Sequence, residues 1–307
     1  MRAPMSNGGP VLGAVFAACC ALLLAACGGG DPRPDLVFVS TRDGDYAIFA
    51  MNADGKREKR LTPAHDSDAH STLFFQTEPA YAPDGSRIAF ASRRGTSFDL
   101  FVMDADGTGT QQLTSNAAND AHPTWSPDGE RIAFHRGDPS HLFVMNADGS
   151  DQRRITDDVA PEAQPAWSPD GEWIAYVRRT PGTEIREVWL VRPDGSGRRA
   201  LTSLEDAVDA PAWAPDSASL AFASNDQQER FEVYVIGLDG KGLRKLTTSS
   251  EAAFEPAWSP DGSSIAFSQD GSIAVLVLDG DQQSALTDPD DNDSSPAWTP
   301  RSPSDDE

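Results

Sequence analysis

Carboxylates, histidines and hydroxyls are the groups with chemistry to offer in this 307-residue chain, and carboxylates dominate. Asp288, Asp290 and Asn292 repeat the alternating oxygen spacing of a calcium loop, whose side chains converge on a hard cation. Asp293 then stands where that loop needs glycine, and its twelfth position is Thr299 instead of glutamate. A solvated acidic loop is the competing reading. His65, Asp66, Asp68 and His70 lack the ligand spacing of a zinc site. Covalent catalysis has little to work with. There is no Gly-x-Ser-x-Gly elbow and no glycine-rich phosphate loop, and the cysteines fall at 19, 20 and 27. Paired carboxylates are so numerous that no one pair stands out as a general acid and base.

Whatever chemistry exists must be positioned by a repeat. Pro165-Ala-Trp-Ser-Pro-Asp-Gly171 recurs in variant form, with its aromatic residue at 81, 125, 167, 213, 258 and 298. A period of about 40–46 residues signals a repeat architecture. After each aromatic strand comes an apolar run such as Ile88-Ala-Phe-Ala-Ser92 or Leu220-Ala-Phe-Ala-Ser224, large on one face and small on the other. That is a strand packed between two layers. A third run, such as Leu100-Phe-Val-Met103, is apolar throughout and so buried on both faces. The fourth ends in Leu-Thr or Ile-Thr, usually after Arg, Lys or Gln, as an outer edge guarded by charge.

Pro-Asp-Gly and Asp-Gly supply the corners between these strands. Four antiparallel strands per unit, repeated, predict an all-β propeller. The first Leu-Val-Phe strand has no aromatic strand before it, and the last aromatic strand has no Ile-Ala-Phe after it. The C-terminal strand should therefore complete the first blade and close a six-bladed ring over residues 35–300.

The uniform turns define one rim, and the divergent loops define the other, where a site can be built. Around the channel mouth on the divergent rim fall the residues just before each aromatic strand: Glu78, His122, Gln164, Ala210, Glu255 and Ser295. Asp120, Asp209 and Asp293 lie slightly further out, and Arg42, Arg93, Arg94, Arg136, Arg178 and Arg179 come from nearby loops. Some of these arginines must pair with the acids to hold the rim. The expected mouth is acidic overall, suited to a peptide segment or a cation, with Glu78, His122, Gln164, Asp209, Glu255 and Asp293 as candidate partner-binding residues.

Charge narrows the partners. The chain carries 25 Lys and Arg against 48 Asp and Glu, a formal net charge of −23. A phosphate-binding surface needs clustered cations, so nucleic acid is excluded as an expected partner. The amino terminus reads separately. Val11 to Ala26 is a short apolar run, the h-region of a secretory signal, ending in Leu24-Ala25-Ala26-Cys27. That ending resembles a bacterial lipobox, which implies cleavage before Cys27 and lipidation of its sulfur. Residues 1–26 are then a leader, 27–34 a lipidated tether and 301–307 an acidic tail. The lipid would be the one attachment to a membrane, and two or more acyl chains anchor stably. A monomer without a cofactor is expected.

The Pro-x-Trp-Ser-Pro-Asp-Gly, Ile-Ala-Phe, Asp-Gly and Leu-Thr cycle resembles the propeller repeats of the TolB family over residues 35–300. Similar repeats occur in propellers of prolyl-oligopeptidase-type peptidases and of some polysaccharide lyases. In TolB-like propellers the channel mouth takes up proteins and extended peptides. The resemblance therefore implies an envelope binding module, here without the companion α/β domain and with a lipid anchor in its place. Gly28 after Cys27 resembles outer-membrane sorting, on the periplasmic face in a diderm source and at the cell surface otherwise. The resemblance also admits a metal-dependent polysaccharide lyase or a hydrolase-type propeller enzyme, which would want histidine and a metal in the channel.

Overall fold

Alternation along the Ile-Ala-Phe strands decides how the sheets stack. In the strand Arg87–Arg93, Ile88 and Phe90 face the preceding blade beside Val37 and Ile48, while Ala89 and Ala91 face the following one beside Trp125, Ile132 and Phe134. A large face meets a small one at close range, as side chains of period two require. Six apolar clusters form in this way, each between consecutive blades, and the one that closes the ring packs Ala266, Ile273 and Val275 against Leu36, Phe38 and Phe49.

The computed structural model describes residues 33–63, 75–93, 95–204, 206–225 and 230–300. Cys27 and its leader, the insertion with His65, Asp66, Asp68 and His70, Arg94 and the tail 301–307 lie outside the described residues. The remainder forms six four-stranded antiparallel sheets. Blade 1 is built from Ser294–Trp298, Leu36–Ser40, Ala47–Met51 and Lys59–Arg60, in that spatial order. Leu36 pairs with Trp298 and Val37 with Ala297, and the Thr299 N–H donates to the Asp35 carbonyl at 2.8 Å. The last strand thus closes the ring, as the unmatched ends of the repeat require. Blades 2 to 6 follow in sequence order, with innermost strands Phe75–Tyr81, Asp120–Trp125, Glu162–Trp167, Val208–Trp213 and Ala253–Trp258. Among the described residues the one helical turn is 3-10, at Pro289–Asp291.

Two repeated motifs acquire physical meaning here. The Leu-Thr pair lies just past the outer strand, which is only two residues long in blades 1 to 5. Each threonine hydroxyl accepts a buried N–H from the second or third residue of the third strand, Thr114 from Leu100 at 2.9 Å and Thr156 from Leu142 at 3.1 Å, so the outer ladder can stop early without orphaning a buried donor. The Asp-Gly turn seats one blade on the carbonyl of the last. A Cβ on Gly107 would lie 2.3 Å from the Leu61 oxygen, and one on Gly149 2.6 Å from that of Leu113, both at positive φ.

Candidate functional site

Each innermost strand is interrupted at the same place. Glu78, His122, Gln164, Ala210, Glu255 and Ser295 all take left-handed φ, between 46° and 57°, and the pairing register slips across each of them. Each precedes a proline, which has no N–H to contribute to the ladder. These are β-bulges, and their effect is to re-aim one side chain per blade toward the axis. Non-glycine residues in this region cost about 1–2 kcal/mol each. Six such residues in one ring mark a place where the fold stores strain, as functional sites often do. Together with their prolines they line an axial cavity of about 180 Å³.

The ring is stitched by its own side chains. Glu78 Oε2 accepts the His122 N–H at 2.6 Å, Gln164 Oε1 accepts that of Ala210 at 3.1 Å, and Glu255 Oε2 accepts that of Ser295 at 2.8 Å. Glu255 also takes hydroxyls from Ser268 at 2.7 Å and Ser295 at 3.0 Å. The clasps therefore join blade 2 to 3, 4 to 5, and 6 to 1. Indole N–H groups tie the same pairs: Trp125 to the Ala80 carbonyl, Trp213 to Ala166 and Trp298 to Ala257, at 3.0–3.1 Å.

Titration at the mouth is set by confinement. The His122 Nδ1 lies 3.1 Å from Glu78 Oε1, with 30 % and 22 % of the two side-chain surfaces open to the channel. That surface faces a narrow space walled by protein, so desolvation is stronger than the exposed area alone conveys. Burial raises the Glu78 carboxyl to about 8, helped by the charge of Glu255 and opposed by the His122 N–H. Burial lowers the His122 imidazole to about 4, against the pull of Glu255. His135 packs on His122 with ring centroids 5.0 Å apart, and burial with the neighbouring imidazole takes it to about 3.

The six residues before the aromatic strands do converge at the mouth. The outer set behaves differently. Asp120 is fully buried and held by Arg136 at 2.7 and 2.8 Å, and Asp293 is 2 % exposed with Oδ2 on Arg42 at 2.8 Å. Arg178 grips Asp158 at 2.7 Å and lowers it to about 2, and Arg179 pairs with Glu184. These arginines hold the rim together, and none of them lines the axial cavity. Asp209 stands 3.7 Å from Arg186 and is raised by burial. It shares a side cavity of about 480 Å³ with Gln164, Glu251, Glu255, Asp270 and Asp293.

Asp288 spends its carboxylate on the N–H of Asp290 and Asn292 its amide on Thr41 Oγ1, which leaves the two engaged within the rim. Among the described residues no group of three or more His, Cys, Asp or Glu side chains is placed to hold a metal ion. Arg198, just before the outer strand Arg199–Ala200, turns onto Glu162 and reaches the Tyr176 hydroxyl at 3.3 Å. The bulges, the His135 stack and the Ser268 contact were missed in the sequence. A proline inside every innermost strand, where a ladder N–H is normally required, was the available signal for the bulges.

Fold and site together define a class: a closed six-bladed propeller whose axial mouth is ringed by bulged polar residues. The model of the TolB beta propeller domain matches residues 70–203 and 135–304, and the chain belongs to that family. The Tol-Pal system protein TolB of Anaeromyxobacter dehalogenans is 58% identical over 45 residues, covering 15% of this chain and 10% of that relative's length. The crystal structure of TolB from Acinetobacter baumannii superposes with a TM-score of 0.73 at 19% identity, covering 89% of this chain and 68% of that one. An oligogalacturonate lyase in complex with manganese shares the fold at a TM-score of 0.55 and 14% identity, over 81% of this chain and 72% of the other.

Proposed function

We propose that this propeller is a lipid-anchored envelope module that captures a protein or peptide through its divergent rim and channel mouth. The observation that carries the reading is the ring of six left-handed residues, which fold the chain at a cost in strain in order to point side chains at one opening. Glu78, Glu255, His122 and Gln164 give that opening acceptors, and among the described residues no arginine or lysine lines it. A partner presenting N–H donors or a positive charge fits it. Family membership and the relatives named for the Tol-Pal system favour an envelope setting. Anchoring rests on Cys27, with the periplasmic face of the outer membrane as the site in a diderm source and the cell surface otherwise. The lipid is the protein's one hold on a membrane, the propeller acts as a monomer, and nucleic acid is not among its partners.

Capture of a partner from the native envelope tests this directly. Substituting His122→Ala together with Glu255→Gln should abolish capture while leaving the melting temperature near that of the parent. Undiminished capture overturns the choice of rim. The anchor has its own test in Cys27→Ser, which should lose both membrane association and the lipid mobility shift.

The resemblance to polysaccharide-lyase propellers supplies a second reading, which would want histidine and a metal in the channel. Here His122 and His135 lie side by side, but they and Glu78 do not form a three-donor group. The donor set does not fit, and binding remains the function the geometry supports. Manganese-dependent cleavage of oligogalacturonate, lost in His122→Ala, would reverse that judgement.

A further inference from the structure

The outer strands of blades 1 to 5 are two residues long, and four of them carry arginine or lysine: Lys59–Arg60, Arg153–Arg154, Arg199–Ala200 and Arg244–Lys245. Short, charged edges resist pairing with other chains. Blade 6 departs from this. Its Asp279-Gly280 turn sets Gln282 directly opposite Val277, so the outer strand runs over Gln282–Ala285, four exposed residues without a charge.

The ladder fixes which edge groups face outward. The Leu286 N–H donates to the Ile273 carbonyl at 2.7 Å. Bonded residues alternate in an antiparallel pair, so Ser284 and Gln282 turn their N–H and C=O inward, and Gln283 and Ala285 turn theirs away from the sheet. Beside this strand a cleft of about 390 Å³ opens, with Arg244, Lys245, Leu246, Leu276, Asp281 and Gln283 in its wall. Lys245 is 3.3 Å from Glu232, whereas Arg244 has no ion pair among the described residues. Leu243 and Val277, both exposed, adjoin the wall residues Arg244 and Leu276 in sequence.

We propose that the outer strand of blade 6 takes up an extended peptide segment as a fifth strand, with an apolar side chain in the cleft and a carboxylate on Arg244. The outward N–H and C=O groups of Gln283 and Ala285 supply main-chain bonds, and the cleft with Arg244 selects the side chains. An acidic peptide is favoured over a second copy, because Arg244 complements it while the net charge of −23 sets two copies against each other. This surface is on the outer wall and works independently of the channel mouth.

The test titrates the full chain with a fluorescent heptapeptide of alternating threonine and valine bearing one central glutamate, and with its lysine counterpart. The glutamate peptide should bind about tenfold more tightly, with the preference reversed in Arg244→Glu. Ala285→Pro removes an outward N–H and no ladder bond, so it should abolish binding at an unchanged melting temperature. Gln283→Pro, which removes the other outward N–H, takes its place if Ala285→Pro unfolds. No binding at millimolar peptide, or binding that survives the proline, overturns the proposal. A concentration-dependent dimer lost on Ala285→Pro, without peptide binding, would assign the edge to a second copy and overturn it equally.

Discussion

Replacing Glu78 with glutamine isolates the electrostatics of the channel mouth. Glutamine keeps an oxygen for the His122 N–H and offers an N–H to His122 Nδ1, so it copies the neutral acid. Proton counting gives the sign of the effect. In the folded chain the Glu78–His122 pair holds one proton from about pH 4 to about pH 8. Unfolded, with ordinary values of 4.5 and 6.5, the pair holds two protons below 4.5, one between those values and none above 6.5. The raised carboxyl alone gives stability that is full below 4.5 and lost as pH rises through about 8. The lowered imidazole offsets that loss below 6.5, because there the unfolded histidine is itself charged.

The net result is a plateau from 4.5 to 6.5 and a fall from 6.5 to about 8, where the folded state holds one proton more than the unfolded. That interval corresponds to about 2 kcal/mol. The count is the same whether the proton rests on Oε1 or on Nδ1. The glutamine variant retains only the imidazole, so it should lose stability below 6.5 and stay level above it. Urea unfolding of both proteins from pH 5 to pH 9 reads the difference. Parallel curves between 6.5 and 8 would refute the confinement argument.

Two further substitutions test the repeat motifs. Gly149→Ala brings a Cβ to 2.6 Å from the Leu113 carbonyl at positive φ, whereas a Cβ on Gly280 meets nothing within 4 Å. Chemical denaturation should show Gly280→Ala losing about 1–2 kcal/mol from backbone strain alone and Gly149→Ala losing more, and equal losses would contradict blade seating on the turn. Thr114→Val leaves the buried Leu100 N–H without its acceptor, an expected cost of about 1–3 kcal/mol in the same assay, and a loss under 0.5 kcal/mol, the scale of an ordinary surface change, would mean the hydroxyl is not what lets the outer ladder stop.

The blade count and its closure were legible in the sequence because they depend on local pattern. The Ile-Ala-Phe alternation sets the faces, Pro-Asp-Gly sets the corners, and the incomplete first and last units meet at Leu36 and Trp298. The identity of the mouth was legible by position, since one residue precedes each Pro of the innermost strands. What those residues do was not. The Glu78 clasp on His122 joins positions 44 residues apart on neighbouring blades, and no single repeat contains both. The burial of Asp120 by Arg136, two strands of one blade, likewise follows from register and not from composition. The bulge hid behind a proline that looked like a strand start.

The central claim is that partners meet this propeller at the bulged ring and not at the uniform Pro-Asp-Gly turns. A photo-crosslinking residue placed at Ala210, which lines the mouth, and another at Asp216 on the opposite rim, should be irradiated in the native envelope. A discrete adduct from position 210 that disappears with His122→Ala and Glu255→Gln together, and none from position 216, is the expected result. Adducts from position 216 alone would contradict the account.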